Sequence, residues 1–471
     1  MGGKGAVFLV LGFSTIFLVF GHRFNSLSTN TIDNISNYYA HTQAYNISVT
    51  AANIAASNLY FDADWTPGPS YQNVYFNGGE YSITKVTASV GDTIMQIVTP
   101  DTVYRIKNRN RGRLQGIYVR SKYHINGKYP FAGSPDKEII ENEAVIVLAP
   151  TAFSYYGNYY QQMTAYPATG DVFSGPFHVN GNLITYGSPT FTGRVTSKGG
   201  LTTRQAPPYP DFQDGYEGGV DVPPEFDTTG MRVGAVTNGK VFSDTTGAGR
   251  RVRVDFEFLA NGNVKYRQKI GSHWSSYTIK PLVDLAPNGT IFVERGIVKV
   301  KGTLNGRVTI ASSSKGDNGA GKIIQTDDLR YAYRADPANH ANDPGILGLV
   351  AEKDITIKYN NHTKHHDIYT DAVMYAQNGK VGPDNNLVHN DGYLADWKIY
   401  GSIAAKDVKA TANYSRQWIN GEYIFAPYEG YRFVQGYDNG VNRSPPPFYP
   451  TSKKFHVATW LERRVYKRGQ F

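Results

Sequence analysis

The chain opens with an uncharged, mostly apolar run over residues 6–20, AVFLVLGFSTIFLVF, which follows a short polar head. At 15 residues the run is at the upper end for the apolar region of a signal peptide and shorter than the roughly 20 residues of a relaxed membrane span. The letters that follow, GHRFN, offer no small-residue cleavage site. Residues 24–61 contain no proline and no glycine. The pattern predicts one long helix over residues 6–61, closed by the prolines after Trp65.

Apolar residues in the second part of this helix are expected to form its packing stripe. They approximate helical spacing, although Asn, Ser and Thr are frequent for a helix. The stripe comprises Phe24, Leu27, Ile35, Tyr38, Ile54 and Leu59. At about 1.5 Å per residue the helix is on the order of 80 Å long. We therefore expect membrane insertion at its start and packing on a globular partner further along.

The start of the chain resembles that of type IV pilins and type II secretion pseudopilins. Lys4-Gly5-Ala6 is similar to the basic-Gly-apolar junction that prepilin peptidase cuts, which implies Gly5 and Ala6 as the processing junction and Ala6 as the new N-terminus. Pilins usually carry Glu at the fifth mature position, where this chain has Val10. In those families the Glu neutralises the N-terminal amine of a neighbouring subunit, and an unpaired charge in lipid is costly. The resemblance thus implies a minor or tip subunit rather than a repeat of the shaft.

The membrane and assembly element implied by this resemblance is the apolar run itself. It consists of Val7, Phe8, Leu9, Val10, Leu11, Phe13, Ile16, Phe17, Leu18, Val19 and Phe20. The alternative is an ordinary N-terminal signal anchor without processing. Lys4 before the run and Arg23 after it are balanced, so the flanking charges specify the orientation only weakly.

Short alternating strands follow the helix. They are predicted at residues 80–86, 93–98, 102–106 and 144–148, and residues 157–169 are interpreted as a linker. A long helix packed on a small antiparallel sheet is the pilin-like arrangement. The predicted domains are residues 1–65 as leader and membrane helix, 66–165 as a small antiparallel β domain, and 166–471 as a second β domain.

The second β domain has its own rhythm of three- to five-residue β runs separated by Gly and Asn corners. The runs recur over residues 175–197, 296–310, 322–328, 347–357, 372–376 and 397–403. Such rungs suit a parallel β-helix, and a β-sandwich is the rival interpretation. An insertion at about residues 203–279 carries a predicted hairpin whose turn is Asn261-Gly262. The predicted fold class is therefore mainly β with a long N-terminal α-helix.

These rungs resemble an uncharacterised bacterial β-rich domain of unknown function, which recurs in envelope proteins of the PilX-like, type IV pilus-associated kind. The resemblance rests on GPFHVNGNLITYGSPTFTGRVT, QTDDLRYAYRADP, LGLVAEKDITI and the C-terminal PPPFYP with VATWLE. It covers most of residues 171–462 and implies no biochemical activity.

Composition narrows the function classes. Thirty-five tyrosines, 49 glycines and only 18% charged residues indicate a β-rich chain with enough apolar residues for a core. The absence of cysteine excludes disulfides, thiolate metal sites and cysteine nucleophiles. The net charge of +9 comes without a nucleic-acid-binding motif, so no nucleic-acid partner is predicted.

The densest cluster of metal-ligand residue types is His362, His365 and His366 with Asp367 and Asp371. Its N and O donors are of the kind that bind zinc or nickel. Strand alternation, however, places His365 and Asp367 on one face and His366 on the other. A polar turn before a strand is therefore the preferred interpretation of this cluster. We expect no cofactor, and a structural calcium ion is the one metal that the sequence leaves open.

Two further patterns suggest enzymes. Asp327-Asp328 with Asp336 and Asp343 offers the carboxylates of a polysaccharide hydrolase, but adjacent strand residues point to opposite faces. Residues 316–322 fit the phosphate-binding pattern G-x-x-x-x-G-K, yet Ile323 stands where Ser or Thr would bind Mg²⁺. We predict no enzymatic activity.

Tyrosines are candidates for a binding surface. Those expected either to be exposed or to pack between strands are Tyr155, Tyr156, Tyr159, Tyr160, Tyr423, Tyr428, Tyr431 and Tyr437. The sequence thus predicts a pilin-like subunit of the cell envelope or of a surface filament, with one membrane helix and an extracytoplasmic C-terminal domain. Its expected partners are other pilin-like subunits, the membrane, and a glycan or other surface ligand. The alternatives are a surface-anchored β-helix enzyme acting on polysaccharide and a signal-anchored adhesin outside any filament.

Overall fold

The computed structural model describes residues 3–62, 64–89, 92–108, 113–124, 139–222, 226–334, 345–419 and 421–465. The chain is mainly β with a long N-terminal helix and an antiparallel sheet, which confirms the predicted fold class at that level. The helices are α1 (Gly3–Phe61), α2 (Thr229–Asn238), α3 (Leu282–Leu285), α4 (Asn385–Val388) and α5 (Gly440–Arg443).

The strands follow in chain order. The first group is β1 (Val74–Phe76), β2 (Gly79–Thr87), β3 (Ile94–Val98), β4 (Val103–Lys107), β5 (Gln115–His124) and β6 (Ile139–Ala152). The second is β7 (Asn158–Gln162), β8 (Val172–Phe173), β9 (Phe177–Val179), β10 (Leu183–Tyr186), β11 (Thr190–Phe191), β12 (Val195–Ser197), β13 (Leu201–Arg204), β14 (Asp211–Phe212), β15 (Tyr216–Gly218) and β16 (Phe226–Asp227). The third is β17 (Lys240–Phe242), β18 (Val252–Phe258), β19 (Asn263–Ile270), β20 (His273–Trp274), β21 (Thr278–Pro281), β22 (Thr290–Val293), β23 (Gly296–Leu304) and β24 (Arg307–Ser312). The last is β25 (Lys322–Tyr331), β26 (Ile346–Ala351), β27 (Ile355–Ile357), β28 (Ile368–Pro383), β29 (Leu394–Val408), β30 (Ala412–Ile419), β31 (Glu422–Gly436) and β32 (Thr451–Val465).

Helix α1 is unbroken over 59 residues, a length of about 90 Å. Its last third packs through a face made mostly of alanine, which lets the helix backbone approach the sheet closely. The fully buried residues of that face are Ala44, Ile47, Ser48, Ala51, Ala52, Ala55 and Leu59. The predicted stripe is therefore wrong except for Leu59, since Phe24, Leu27, Ile35, Tyr38 and Ile54 are all exposed.

The sheet under α1 has the order β1-β2-β5-β6-β32-β16 and is antiparallel throughout. One face packs on α1 through Ile83, Ile117 and Ile146. The other face packs on the β3–β4 hairpin through Met95 and Ile97. We call α1, β1–β6 and β32 the helix–sheet unit.

Polar contacts also join the helix to the sheet. Ser121 Oγ donates to the Ala44 carbonyl oxygen at 2.6 Å, and Asn142 Nδ2 donates to Ser48 Oγ at 2.7 Å. Both side chains are buried, so each contact satisfies polar atoms that would otherwise lack a partner in this interface.

Strand β32 completes the first sheet although it lies some 300 residues beyond β6 in the chain. It pairs antiparallel with β6, for example Leu461 with Val145 and Trp460 with Ile146. Residues 451–465, which the sequence analysis grouped with the second β domain, thus belong to the helix–sheet unit by hydrogen bonding. The large β domain is inserted between two neighbouring strands of this unit.

A cysteine pair tests that register. We expect Val145→Cys with Leu461→Cys to form a disulfide in high yield on mild oxidation, because directly paired residues of antiparallel strands have Cα atoms about 4.5–5.5 Å apart. The chain has no other cysteine to compete. Gel mobility with and without reductant reports the cross-link. Val145→Cys with Val457→Cys is the control, since Val457 pairs with Leu148 instead; equal yields in both variants would contradict the register.

The remaining strands form what we call the parallel stack, residues 158–218 and 240–436. Its longest ladder has ten parallel strands in the order β17-β22-β24-β26-β28-β29-β7-β9-β12-β15. Further parallel ladders run through β18-β23-β25 and through β29-β31-β8-β11-β14. This pairing is the one expected of β-helix rungs and differs from the antiparallel pairing of a sandwich. The complete β-helix stays our interpretation of these ladders.

The chain enters and leaves the stack near its middle. From β7, which pairs with β29 on one side and β9 on the other, it winds to β15 at one end. It then crosses through α2 to β17 at the opposite end and winds back to β31, beside β8. The predicted linker is wrong, because it contains β7 and the buried rings of Tyr159 and Tyr160.

The predicted insertion at residues 203–279 does not interrupt the rungs as expected, because it contains stack strands as well as a hairpin. Strands β14, β15, β17 and β18 pair parallel with strands of the stack and therefore belong to it. Strand β18 pairs with β23. Its other edge pairs antiparallel with β19, which confirms the predicted hairpin; Gly262 in its turn has a φ of +85°. The hairpin covers the open edge of this ladder at the end of the stack.

The outer side of the longest ladder is covered by the segment that leads from β31 to β32. Phe448 and Tyr449 pack there with Met231 of α2 and with Tyr375 of β28. Arg307 Nη2 donates to the carbonyl oxygens of Ser444 and Pro445 at 3.0 and 2.9 Å. The proline-rich segment between β31 and β32 thus contacts both α2 and the stack and stabilises their packing.

Candidate functional site

The first third of α1 is the candidate functional site. Every predicted member of the membrane and assembly element from Val7 to Phe20 is more than half exposed. Phe8, Phe17 and Leu18 are exposed by 76%, 74% and 74%. A continuous apolar surface of this size is unusual in a soluble monomer and indicates contact with lipid or with another protein.

The helix meets the length and composition requirements of a membrane-crossing segment. Its best 18-residue window has a mean hydropathy of 1.8 and is 0% buried. Thr15 Oγ1 donates to the Leu11 carbonyl oxygen at 2.8 Å, so this hydroxyl is satisfied within the helix, as an apolar environment requires.

The helix presents no carboxylate near its start. Val10, at the position where pilins usually carry Glu, is 64% exposed, and the first acidic residue of the chain is Asp33. Gly5 and Ala6 lie in the first turns of α1, which begins at Gly3; their side chains lie outside the described part of the structure.

The predicted metal-ligand cluster is spread over a turn that precedes β28. His362 Nδ1 lies 3.8 Å from an Asp327 oxygen, and His365 Nε2 lies 3.5 Å from an Asp391 oxygen. Lys398 Nζ pairs with Asp367 at 2.7 Å, and His366 is exposed. Within the described ranges there is no group of three or more His, Asp or Glu residues that could hold a metal ion.

The adjacent carboxylates of β25, Asp327 and Asp328, contact different partners. One Asp327 oxygen accepts from the Asp328 backbone N–H at 2.8 Å. Asp328 accepts from the Tyr369 backbone N–H and pairs with Arg330 at 3.1 Å. Asp336 and Asp343 lie outside the described residues. The Gly-rich pattern at residues 316–322 is a loop between β24 and β25, and no helix follows it.

The predicted tyrosines divide into two sets. Tyr159, Tyr160 and Tyr431 are buried, and Tyr156 and Tyr437 are partly buried. Tyr155, Tyr423 and Tyr428 are exposed by 47%, 67% and 45%. The sequence analysis missed Trp418, which is 64% exposed. Its ring packs edge-on against that of Tyr423 near the tip of the β30–β31 hairpin, with 4.7 Å between the ring centroids.

Asp171 is a buried carboxylate at the seam where the two windings of the stack meet. It accepts from the Tyr414 hydroxyl at 3.0 Å and from the Phe433 and Ala168 backbone N–H groups at 3.1 and 2.9 Å. Burial raises the pKa of Asp171 to about 7. It lines a cavity of about 270 Å³ together with Trp397. The contacts join β8 to β31, so we assign Asp171 a structural role.

Comparison with known proteins adds one solved structure. No protein-family model and no curated protein matches the chain, so the resemblance of residues 171–462 to an envelope domain gains no support there. The competence-associated pilin ComZ from Thermus thermophilus is similar over 91% of this chain and 98% of its own, at 11% identity and a TM-score of 0.30. A TM-score this low does not show a shared fold.

Proposed function

We propose that this chain is a pilin-like subunit of a type IV filament or related secretion machine, inserted through the apolar start of α1. One observation carries the proposal. A single helix combines an apolar run that is exposed from Val7 to Phe20 with a last third that packs on an antiparallel sheet. The exposed run is thereby available to contact lipid or neighbouring helices, and the packed last third attaches the helix to the folded unit.

The proposed place of the subunit is a minor position or the tip. With Val10 and no acidic residue before Asp33, the apolar part of the helix has no carboxylate to neutralise a neighbour's N-terminal amine. The parallel stack also has far more residues than the helix–sheet unit that carries it. A helix without the charge partner and a bulky stack both suit a position that is not repeated along a shaft.

The proposed processing junction is Gly5-Ala6. Cleavage there would leave Ala6 followed directly by the exposed apolar run. The proposed work of the stack is structural or adhesive, without catalysis. The divergent contacts of Asp327 and Asp328 support this, because they do not present a convergent acid and base.

Site-specific photo-cross-linking in the native membrane tests the proposal. A photoreactive residue in place of Leu18, which is 74% exposed, is expected to capture other pilin-like subunits, identified by mass spectrometry. The same residue in place of Tyr209, exposed on the stack, is the control and should not capture them through this route. Adducts to lipid alone from position 18 would favour the signal-anchored adhesin.

A further inference from the structure

One outward surface of the stack concentrates positive charge in rows that cross four strands. We call it the basic face: the outward residues of β19, β18, β23 and the start of β25. Alternate residues of these strands, such as Val254 and Val298, point into the core, so their neighbours point outward. The strand register therefore fixes which charges adjoin.

Pairing between the strands arranges these residues in three rows. Two rows have a carboxylate between two cations, and one row has three cations, one isoleucine and no carboxylate. The mixed rows are Lys265–Glu257–Lys301 and Arg267–Asp255–Lys299, and the basic row is Lys269–Arg253–Ile297–Lys322.

The carboxylates of the mixed rows neutralise only part of this charge. Glu257 pairs with Lys265 at 3.2 Å and with Lys301 at 3.5 Å, and Asp255 pairs with Arg267 at 2.9 Å. Among the described residues, Arg253, Lys299 and Lys322 have no carboxylate within ion-pair distance. These cations are free to bind an external anion.

Aromatic rings hold the cations of β19 in place. The Arg267 guanidinium carbon lies 4.1 Å from the centre of the Trp274 ring and 4.6 Å from that of Tyr277. Lys265 Nζ lies 4.8 Å from the Tyr277 ring, and Lys269 Nζ lies 5.6 Å from the Trp274 ring. Ring contacts restrict these long side chains without cancelling their charge, which lowers the entropy cost of binding an anion.

A cavity opens beside these rows. It has a volume of about 280 Å³ and is lined by Lys265, Lys299, Lys301, Tyr277, Lys358 and His362. Asp255, Glu257 and Asp327 also line it. Cations therefore face the cavity from the hairpin, from β23 and from the segment after β27.

We propose that the basic face binds a linear acidic polysaccharide bearing carboxylate or sulfate groups. Neighbouring strands lie about 4.8 Å apart, and successive rows lie two residues, about 6.6 Å, apart along each strand, so charged groups on successive sugars of an extended polymer can meet cations of successive rows. A nucleic acid is disfavoured, because Trp274 and Tyr277 already engage cations instead of offering free faces for base stacking. The inference deepens the proposed adhesive function by giving the displayed stack a ligand class.

Binding of the full-length protein in detergent micelles to immobilised polygalacturonate and dextran sulfate tests this inference. We expect binding to at least one polymer, weakening as salt is added. The triple variant R253Q/K269Q/K322Q should lose at least tenfold in affinity. The control K198Q/K406Q/R416Q removes the same net charge from other surfaces and should change affinity less than twofold.

Four results would overturn the inference: no binding to either polymer, equal binding to neutral dextran, equal losses in both triple variants, or tighter binding to single-stranded DNA. Circular dichroism checks that each variant is folded, and the single variants Arg253→Gln and Lys322→Gln repeat the test if the triple variant is not. Cross-linking at position 18 reports filament incorporation separately, so failure of this inference and failure of the proposed function are distinguishable.

Discussion

Replacing Phe13 and Phe17 by arginine is expected to abolish membrane insertion while leaving the folded part of the chain intact. Both rings are exposed, by 56% and 74%, so their loss removes no packing within the chain. An arginine near the centre of a spanning helix costs about 2.5–3.5 kcal/mol on insertion scales. Two of them cost about 5–7 kcal/mol. The apolar run has only 15 residues and cannot shift to avoid them.

Carbonate extraction of membranes measures this effect. The native chain should remain with the membrane pellet, and F13R/F17R should appear in the supernatant with an unchanged thermal unfolding midpoint. The control N25R/S28R adds the same charge to exposed positions beyond the run and should stay in the pellet. Retention of F13R/F17R in the pellet would show that residues 6–20 are not the membrane element.

Ala51→Asp is expected to destabilise the helix–sheet unit by about 3–5 kcal/mol, because it buries a carboxylate without a partner. Ala51 is fully buried and shares a core with Ile83, Ile117 and Ile146. Because Ala51 is fully buried at this interface, the aspartate carboxylate either becomes protonated or reaches water by moving the helix away from the sheet, and both cost stability.

Hydrogen exchange of β5 and β6 measures that loss locally, apart from the parallel stack. Their amides should exchange faster in Ala51→Asp, whereas the exposed control Asn53→Asp should change stability by less than about 0.5 kcal/mol. Unchanged protection of β5 and β6 in Ala51→Asp would contradict the assignment of this face to the sheet.

Local patterns in the sequence predicted the elements that depend on local chemistry. The long helix follows from the absence of proline and glycine over residues 24–61, and the β18–β19 hairpin from Asn261-Gly262. The packing face of α1 was missed because alanine gives a weak hydrophobic signal. The larger apolar residues either precede the packed part of the helix or, like Ile54, lie on its exposed side.

Long-range pairing could not be read from the sequence. Nothing in residues 451–465 indicates that they pair with β6, since a strand pattern carries no information about its partner. Tyr155 and Tyr159 belong to one tyrosine-rich segment. Tyr155 is exposed and Tyr159 is buried, because only Tyr159 lies in a strand of the stack, β7. The basic face could not be predicted either, because its charges are dispersed along the sequence and only the register of four strands brings them together.

The N-terminal sequence of the protein purified from its native membrane tests the central claim most directly. The account predicts a start at Ala6, produced by cleavage after Gly5, with residues 7–20 as the first part of the mature helix. A start at Met1 would contradict prepilin-type processing and leave a plain signal anchor. A start beyond Gly21 would remove the proposed assembly element altogether.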